Sequence, residues 1–125
     1  MGDMSAKDAL RVRRVYEPPE PADGARVLVD RLWPRGLSKA DAQLTEWCKD
    51  VAPSSELRRW YGHQRERFEV FAERYREELA RESAQRALER LRELAEQGPL
   101  TLLTATKEVS ASHTAVLTEV LREGV

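Results

Sequence analysis

The chain has one cysteine, Cys48, among 125 residues. A lone thiol cannot close an intrachain disulfide, so a secreted scaffold held by disulfides is excluded. Only two histidines, His63 and His113, accompany it, and three side chains spread from 48 to 113 lack the spacing of a structural zinc site. No apolar run approaches the ~18 residues of a membrane span. The opening Met1-Gly2-Asp3-Met4-Ser5 has no apolar stretch behind a basic one, so no signal peptide is expected and the expected location is the cytoplasm. GxGxxG, Walker-type and HExxH patterns are missing, so no cofactor and no metal are expected. Charge of one sign is also missing: 21 basic residues stand against 22 acidic ones, a net −1. That balance argues against nucleic-acid and membrane partners, although a local patch stays open.

What is present fits one folded domain. Apolar residues make up 41% of the chain, enough for a core at this length, and the 34% that are charged imply solvated helix faces. Arginines number 17 against 4 lysines, which makes Lys107 the sole lysine in the last 76 residues.

Residues 1–9 are small and polar, and a flexible N-terminus is expected there. Leu10, Val12 and Val15 alternate with Arg11, Arg13 and Arg14 as in a strand whose arginines form a polar face. Three prolines and Asp23-Gly24 mark the loop that follows. Arg26-Val27-Leu28-Val29-Asp30 reads as a second, buried strand. Ser38 and Asp41 resemble a capping box opening a helix over about 39 to 48, with Leu44, Trp47 and Cys48 inward. Pro53-Ser54-Ser55 caps a short helix to Tyr61, which Gly62 closes. Phe68, Phe71, Tyr75 and Leu79 recur at helical spacing and read as core. Ser83 caps a continuation that Gly98-Pro99 ends. Leu100 to Ala105 is the third strand candidate, and Ser110 or Ser112 caps a last helix. The link between the first two strands is too short for a helical crossover. They are therefore either antiparallel neighbours or parallel strands not directly paired.

Ligands in open α/β sheets bind beyond the carboxyl ends of strands, where loops converge. Two such ends are polar here: Asp30-Arg31-Leu32-Trp33-Pro34-Arg35-Gly36, and Thr104-Ala105-Thr106-Lys107-Glu108 with His113 beyond. Arg31 and Arg35 supply planar, multi-donor groups for phosphate or carboxylate, and Trp33 a ring to stack or shield. Asp30 is placed to orient an arginine or take a proton. The same residues also read as structure, with Asp30 and Arg31 paired and Trp33 in the core. Lys107 reads as an anion-neutralising or nucleophilic amine, or as a surface lysine paired with Glu108. His113 reads as a proton carrier or a capping residue. His63, after Arg58-Arg59-Trp60-Tyr61-Gly62, reads alone as structural, and Cys48 as a small buried residue rather than a nucleophile.

The run Arg26-Val27-Leu28-Val29-Asp30-Arg31-Leu32-Trp33-Pro34-Arg35-Gly36-Leu37-Ser38-Lys39 resembles the signature of the YeaO-like family of uncharacterised bacterial proteins, a domain of unknown function. The likeness continues through Trp47, the Lys49 to Ser54 segment, Leu57-Arg58, Trp60, Gly62-His63, Phe71, Tyr75, Glu78-Leu79, Thr101 to Leu103, Lys107 and His113. It implies a compact α/β protein. It also marks Asp30, Arg31, Trp33, Arg35, Lys39, Arg58, His63, Lys107 and His113 as motif positions. Near 104 to 114 the family pattern resembles a tyrosine, alanines, an acidic residue and Asn-His-Ala, whereas Thr104, Thr106, Glu108 and Ser112 stand here. Roles needing that tyrosine or asparagine are not carried over.

The expectation is a single α/β domain over 10–125, with a small, largely parallel or mixed sheet flanked by helices. At the ends of its second and third strands it would hold a small anionic ligand, phosphorylated or carboxylated. Arg31, Arg35 and Arg58 bind the anion, with Trp33 and Lys39 alongside and Lys107 assisting. Asp30 with His113 or His63 handles protons if there is chemistry. One alternative is a non-catalytic module presenting Trp33, Trp47, Trp60 and arginines to a protein or nucleic acid. Another is a buried polar network that fixes the fold.

Overall fold

Apolar runs too short for helices, at Leu10, Ala25 and Leu100, each become a strand. A computed structural model describes residues 10–123, so the expected flexible segment 1–9 lies outside the described residues. The strands are β1 (Leu10–Arg14), β2 (Ala25–Leu28), β3 (Glu46–Trp47) and β4 (Leu100–Thr104). They form one sheet in the order β1-β4-β2-β3, every pair parallel. Both Leu10 and Ala25 pair with Leu100, so β1 and β2 run parallel on either side of β4 and do not touch. The chain between β3 and β4 supplies the long crossover that parallel pairing requires. It contains α2 (Ser55–Tyr61), α3 (Phe68–Leu79) and α4 (Glu82–Gln97). The short α1 (Lys39–Ala42) precedes β3, and α5 (His113–Glu123) follows β4. Among the described residues, no helix is long and apolar enough to cross a membrane.

The two faces of the sheet are covered differently. On one, Leu10, Val27, Val29, Leu100 and Leu102 pack against Phe71, Tyr75, Leu79, Leu88, Leu91 and Leu117 of the long helices. On the other, Val15, Leu28 and Leu103 are covered by loop residues Trp33, Leu37 and Leu44 with Trp47. The rest of that second face is polar. Asp23, fully buried, accepts hydrogen bonds from Arg11, from Arg13 at 2.9 Å and from Arg26 at 2.5 Å. Burial alone raises the Asp23 carboxyl, but the Glu20 amide and the three guanidiniums outweigh it and hold the group well below the usual carboxylate range. The arginines of β1 thus form the polar strand face their alternation implies, while Arg14 donates to the carbonyls of Ala105 and Thr106.

Turn residues act where expected at several points. The Ser54 hydroxyl caps α2, Gly62 ends it at φ +54°, and α4 stops before Gly98. Gly24 is required by space as well as conformation, because a Cβ there would lie 2.2 Å from the Pro99 carbonyl oxygen. Two expectations need correction. The helix expected over 39 to 48 stops at Ala42, where Gln43 turns left-handed at φ +46°. From there Thr45 and Cys48 donate backbone hydrogen bonds to Arg26 and Leu28, making β3 an edge strand. Sheet pairing supplies those amides with partners that a continued helix would supply only locally. Ser83 caps nothing either: Arg81 occupies the capping position of α4, without a side-chain bond.

Candidate functional site

An all-parallel sheet delivers every strand's carboxyl end to the same side. Leu28 pairs with Leu103, so Asp30 and Ala105 emerge beside each other from β2 and β4. The loops beyond them, with α2 and the start of α5, enclose a cleft of about 740 Å³. Asp30, Arg31, Trp33, Arg35, Arg58, His63, Lys107 and His113 all line it. Lys39 does not; it opens α1, exposed and outside the cleft.

Asp30 and His113 are fastened together in the cleft wall. Asp30 Oδ1 accepts from the Thr104 hydroxyl at 2.7 Å, and Oδ2 from the Ala105 amide at 2.8 Å. His113 Nε2 lies 3.2 Å from Asp30 Oδ1 and 3.0 Å from the Val29 carbonyl oxygen. Both of those partners are acceptors, so Nε2 carries the proton and donates. Burial pushes the Asp30 carboxyl up, but the His113 hydrogen bond and charge, the Ala105 amide and the Thr104 hydroxyl bring it below its ordinary range. A carboxylate so satisfied has little basicity left for a ligand. Asp30 does not pair with Arg31, and Trp47 Nε1 holds its backbone carbonyl at 2.7 Å.

The cations are arranged the opposite way. Arg31 donates through Nε and Nη2 to the carbonyls of Pro53 (3.2 Å) and Ala52 (3.0 Å), which fix the guanidinium without neutralising it. Arg35, Arg58, Arg59 and Lys107 line the cleft as exposed side chains. Among the described residues none of these five has a carboxylate at ion-pair distance. Glu108, the partner one structural reading assigned to Lys107, instead pairs with Arg65 at 3.0 Å. Among the described residues, five cations, of which Arg31 alone is braced, thus face a cleft lined by two carboxylates, both engaged elsewhere.

His63 enters from the turn after α2. Gly62 and His63 are both left-handed, at φ +54° and +57°, and this reversal carries the exposed imidazole to the cleft edge. Arg59, Tyr16, Tyr61 and Thr106 also line the cleft, and sequence reasoning did not single them out as site residues. For Arg59 the signal was its adjacency to Arg58; for Tyr16 it was the position just past β1. The three tryptophans do not share a surface. Trp33 and Trp47 meet edge to face at 5.3 Å in the second core cluster, whereas Trp60 stacks under Arg67 and Arg74. Cys48 is half-buried, and burial first, then the charges of Glu46 and Asp50, push its thiol up to about 11. Among the described residues no three His, Cys, Asp or Glu side chains gather as a metal site would require.

Comparison with known proteins agrees over nearly the whole chain. Residues 9–125 match the family model described as the inactive DUF488-N3 subclade. An uncharacterised protein of Mycobacterium tuberculosis is 54% identical over 118 residues, covering 94% of this chain and 98% of the relative. One from Mycobacterium bovis shows the same figures. The uncharacterised protein YeaO of Escherichia coli is 42% identical over 113 residues, or 90% of this chain and 96% of its own. No solved structure matches. The chain belongs to the YeaO-like DUF488 family, within the subclade described as inactive.

Proposed function

We propose that the protein binds a small phosphate- or carboxylate-bearing ligand in this cleft and holds it without turning it over. One observation carries the reading: five cations line a single cleft and, among the described residues, none has a carboxylate at ion-pair distance, in a chain whose net charge is −1. Elsewhere about half of the arginines pair with a carboxylate, as Arg13, Arg26, Arg76 and Arg90 do. Clustering like charges is costly even at the surface, and an anionic ligand offsets that cost. Arg31 would make the primary contact because its carbonyl braces preorganise the guanidinium. Arg58, Arg35 and Lys107 would close on the anion from the flanking loops and α2.

Two points favour binding over catalysis. The family description calls the subclade inactive. Asp30 and His113, the pair placed to move protons, are already bonded to Thr104, Ala105 and Val29. The alternative of an interaction module built on three tryptophans is less well supported, since Trp33 and Trp47 sit away from Trp60. A cytoplasmic location fits a chain whose one thiol has no disulfide role.

The test is thermal stabilisation by anions, read in wild type, Arg31→Ala and Lys107→Ala. A ligand at ten times its Kd adds about 1.4 kcal/mol to stability, or roughly 4 °C for a domain of this size. Organic phosphates or carboxylates at millimolar concentration should raise the wild-type melting temperature and do so much less in Arg31→Ala. If no anion across a metabolite panel stabilises the wild type, the proposal fails.

A further inference from the structure

The cleft has an apolar lip as well as a cationic interior. Of the large apolar side chains left exposed among the described residues, Tyr16 (42%) and Leu32 (63%) both line it. Tyr16 is not a loose ring. Its hydroxyl donates to the Arg35 carbonyl at 3.1 Å, and the Arg14 guanidinium lies 5.3 Å from its centroid. Arg14 is itself tied to the carbonyls of Ala105 and Thr106, which line the same cleft. The ring is therefore held by its hydroxyl and by a cation while 42% of the residue stays exposed. An immobilised aromatic beside unpaired cations is what a ligand with a planar ring next to its anionic group would use, because stacking and ion pairing then act together. The cleft volume of about 740 Å³ also lies in the range of sites that enclose whole organic ligands, well above the needs of a bare phosphate ion.

We propose that the ligand is an aryl-type organic anion, with its ring on the Tyr16 and Leu32 lip and its anionic group among Arg31, Arg58 and Lys107. This rests on the anion-binding reading and specifies its ligand class. Calorimetric titration of the purified chain with phenyl phosphate and with methyl phosphate separates the two claims. Covering the lip should make phenyl phosphate bind about tenfold more tightly than methyl phosphate. In Leu32→Ser, and in Tyr16→Ser, the ratio should fall toward one. Leu32 is mostly exposed, so its variant keeps the test valid even if Tyr16→Ser folds poorly. Equal affinities for the two esters in wild type, or an unchanged ratio in Leu32→Ser, would overturn the ring subsite while leaving anion binding intact. Binding of neither ester would overturn the ring subsite, and the anion reading with it if benzoate and acetate also fail to bind.

Discussion

Replacing Asp30 by alanine distinguishes the hydrogen-bonded wall of the cleft from its unpaired cations. The Asp30 side chain is 16% exposed and accepts from the Thr104 hydroxyl and the Ala105 amide, with His113 Nε2 at 3.2 Å. Hydrogen bonds to a charged acceptor contribute about 1.5 kcal/mol or more each, so two of them give roughly 3 kcal/mol, and the orphaned donors add to the loss. Asp30→Ala should therefore destabilise by about 3 kcal/mol in urea titrations with an unchanged slope. Arg35→Ala, which removes an exposed side chain that makes no ion pair among the described residues, should cost under about 0.5 kcal/mol. The pH dependence follows from the lowered Asp30 carboxyl. A depressed acid stabilises the fold above its unfolded-state pKa of about 3.9, and that stability is lost as pH falls through the folded value. The gap between wild type and Asp30→Asn should thus hold steady at neutral pH and close below about pH 4. Equal losses from Asp30→Ala and Arg35→Ala would refute the division of the cleft into a fixed wall and free cations.

Other consequences are open to simple tests. Asp23→Ala leaves Arg11, Arg13 and Arg26 facing each other on the second sheet face, and should cost about 4 kcal/mol by thermal or urea unfolding. A loss below 1 kcal/mol would show that solvent screens that cluster. The Cys48 thiol, pushed up to about 11, should react with iodoacetamide at pH 8 about two orders of magnitude more slowly in the folded chain than in urea. Similar rates would mean that the thiol opens readily to solvent.

Much of this fold is legible in the residues because its elements are punctuated by side chains that act locally. Ser54 before α2, Gly62 after it, and Gly98-Pro99 between α4 and β4 each act through neighbours a few positions away. β3 was illegible for the converse reason. Leu44, Trp47 and Cys48 have helical spacing, and what makes Glu46–Trp47 a strand is pairing with β2, some twenty residues earlier. The site divides likewise. Strand-end logic finds Asp30, Arg31, Lys107 and His113 because parallel strands must end together. Lys39 falls outside the cleft because α1 lies between β2 and β3, and Arg59 and Tyr16 join it only through the tertiary placement of α2 and the β1 exit.

The bracing of Arg31 by two main-chain oxygens has a kinetic side. Peptide dipoles orient a guanidinium but leave its monopole intact, so the field of that residue extends into the solvent ahead of the opening. On the proposed reading, an anionic ligand would be drawn in without first displacing a carboxylate from Arg31. On the proposed anion-binding reading, dissolved salts would compete for the same field, and occupancy would fall as ionic strength rises.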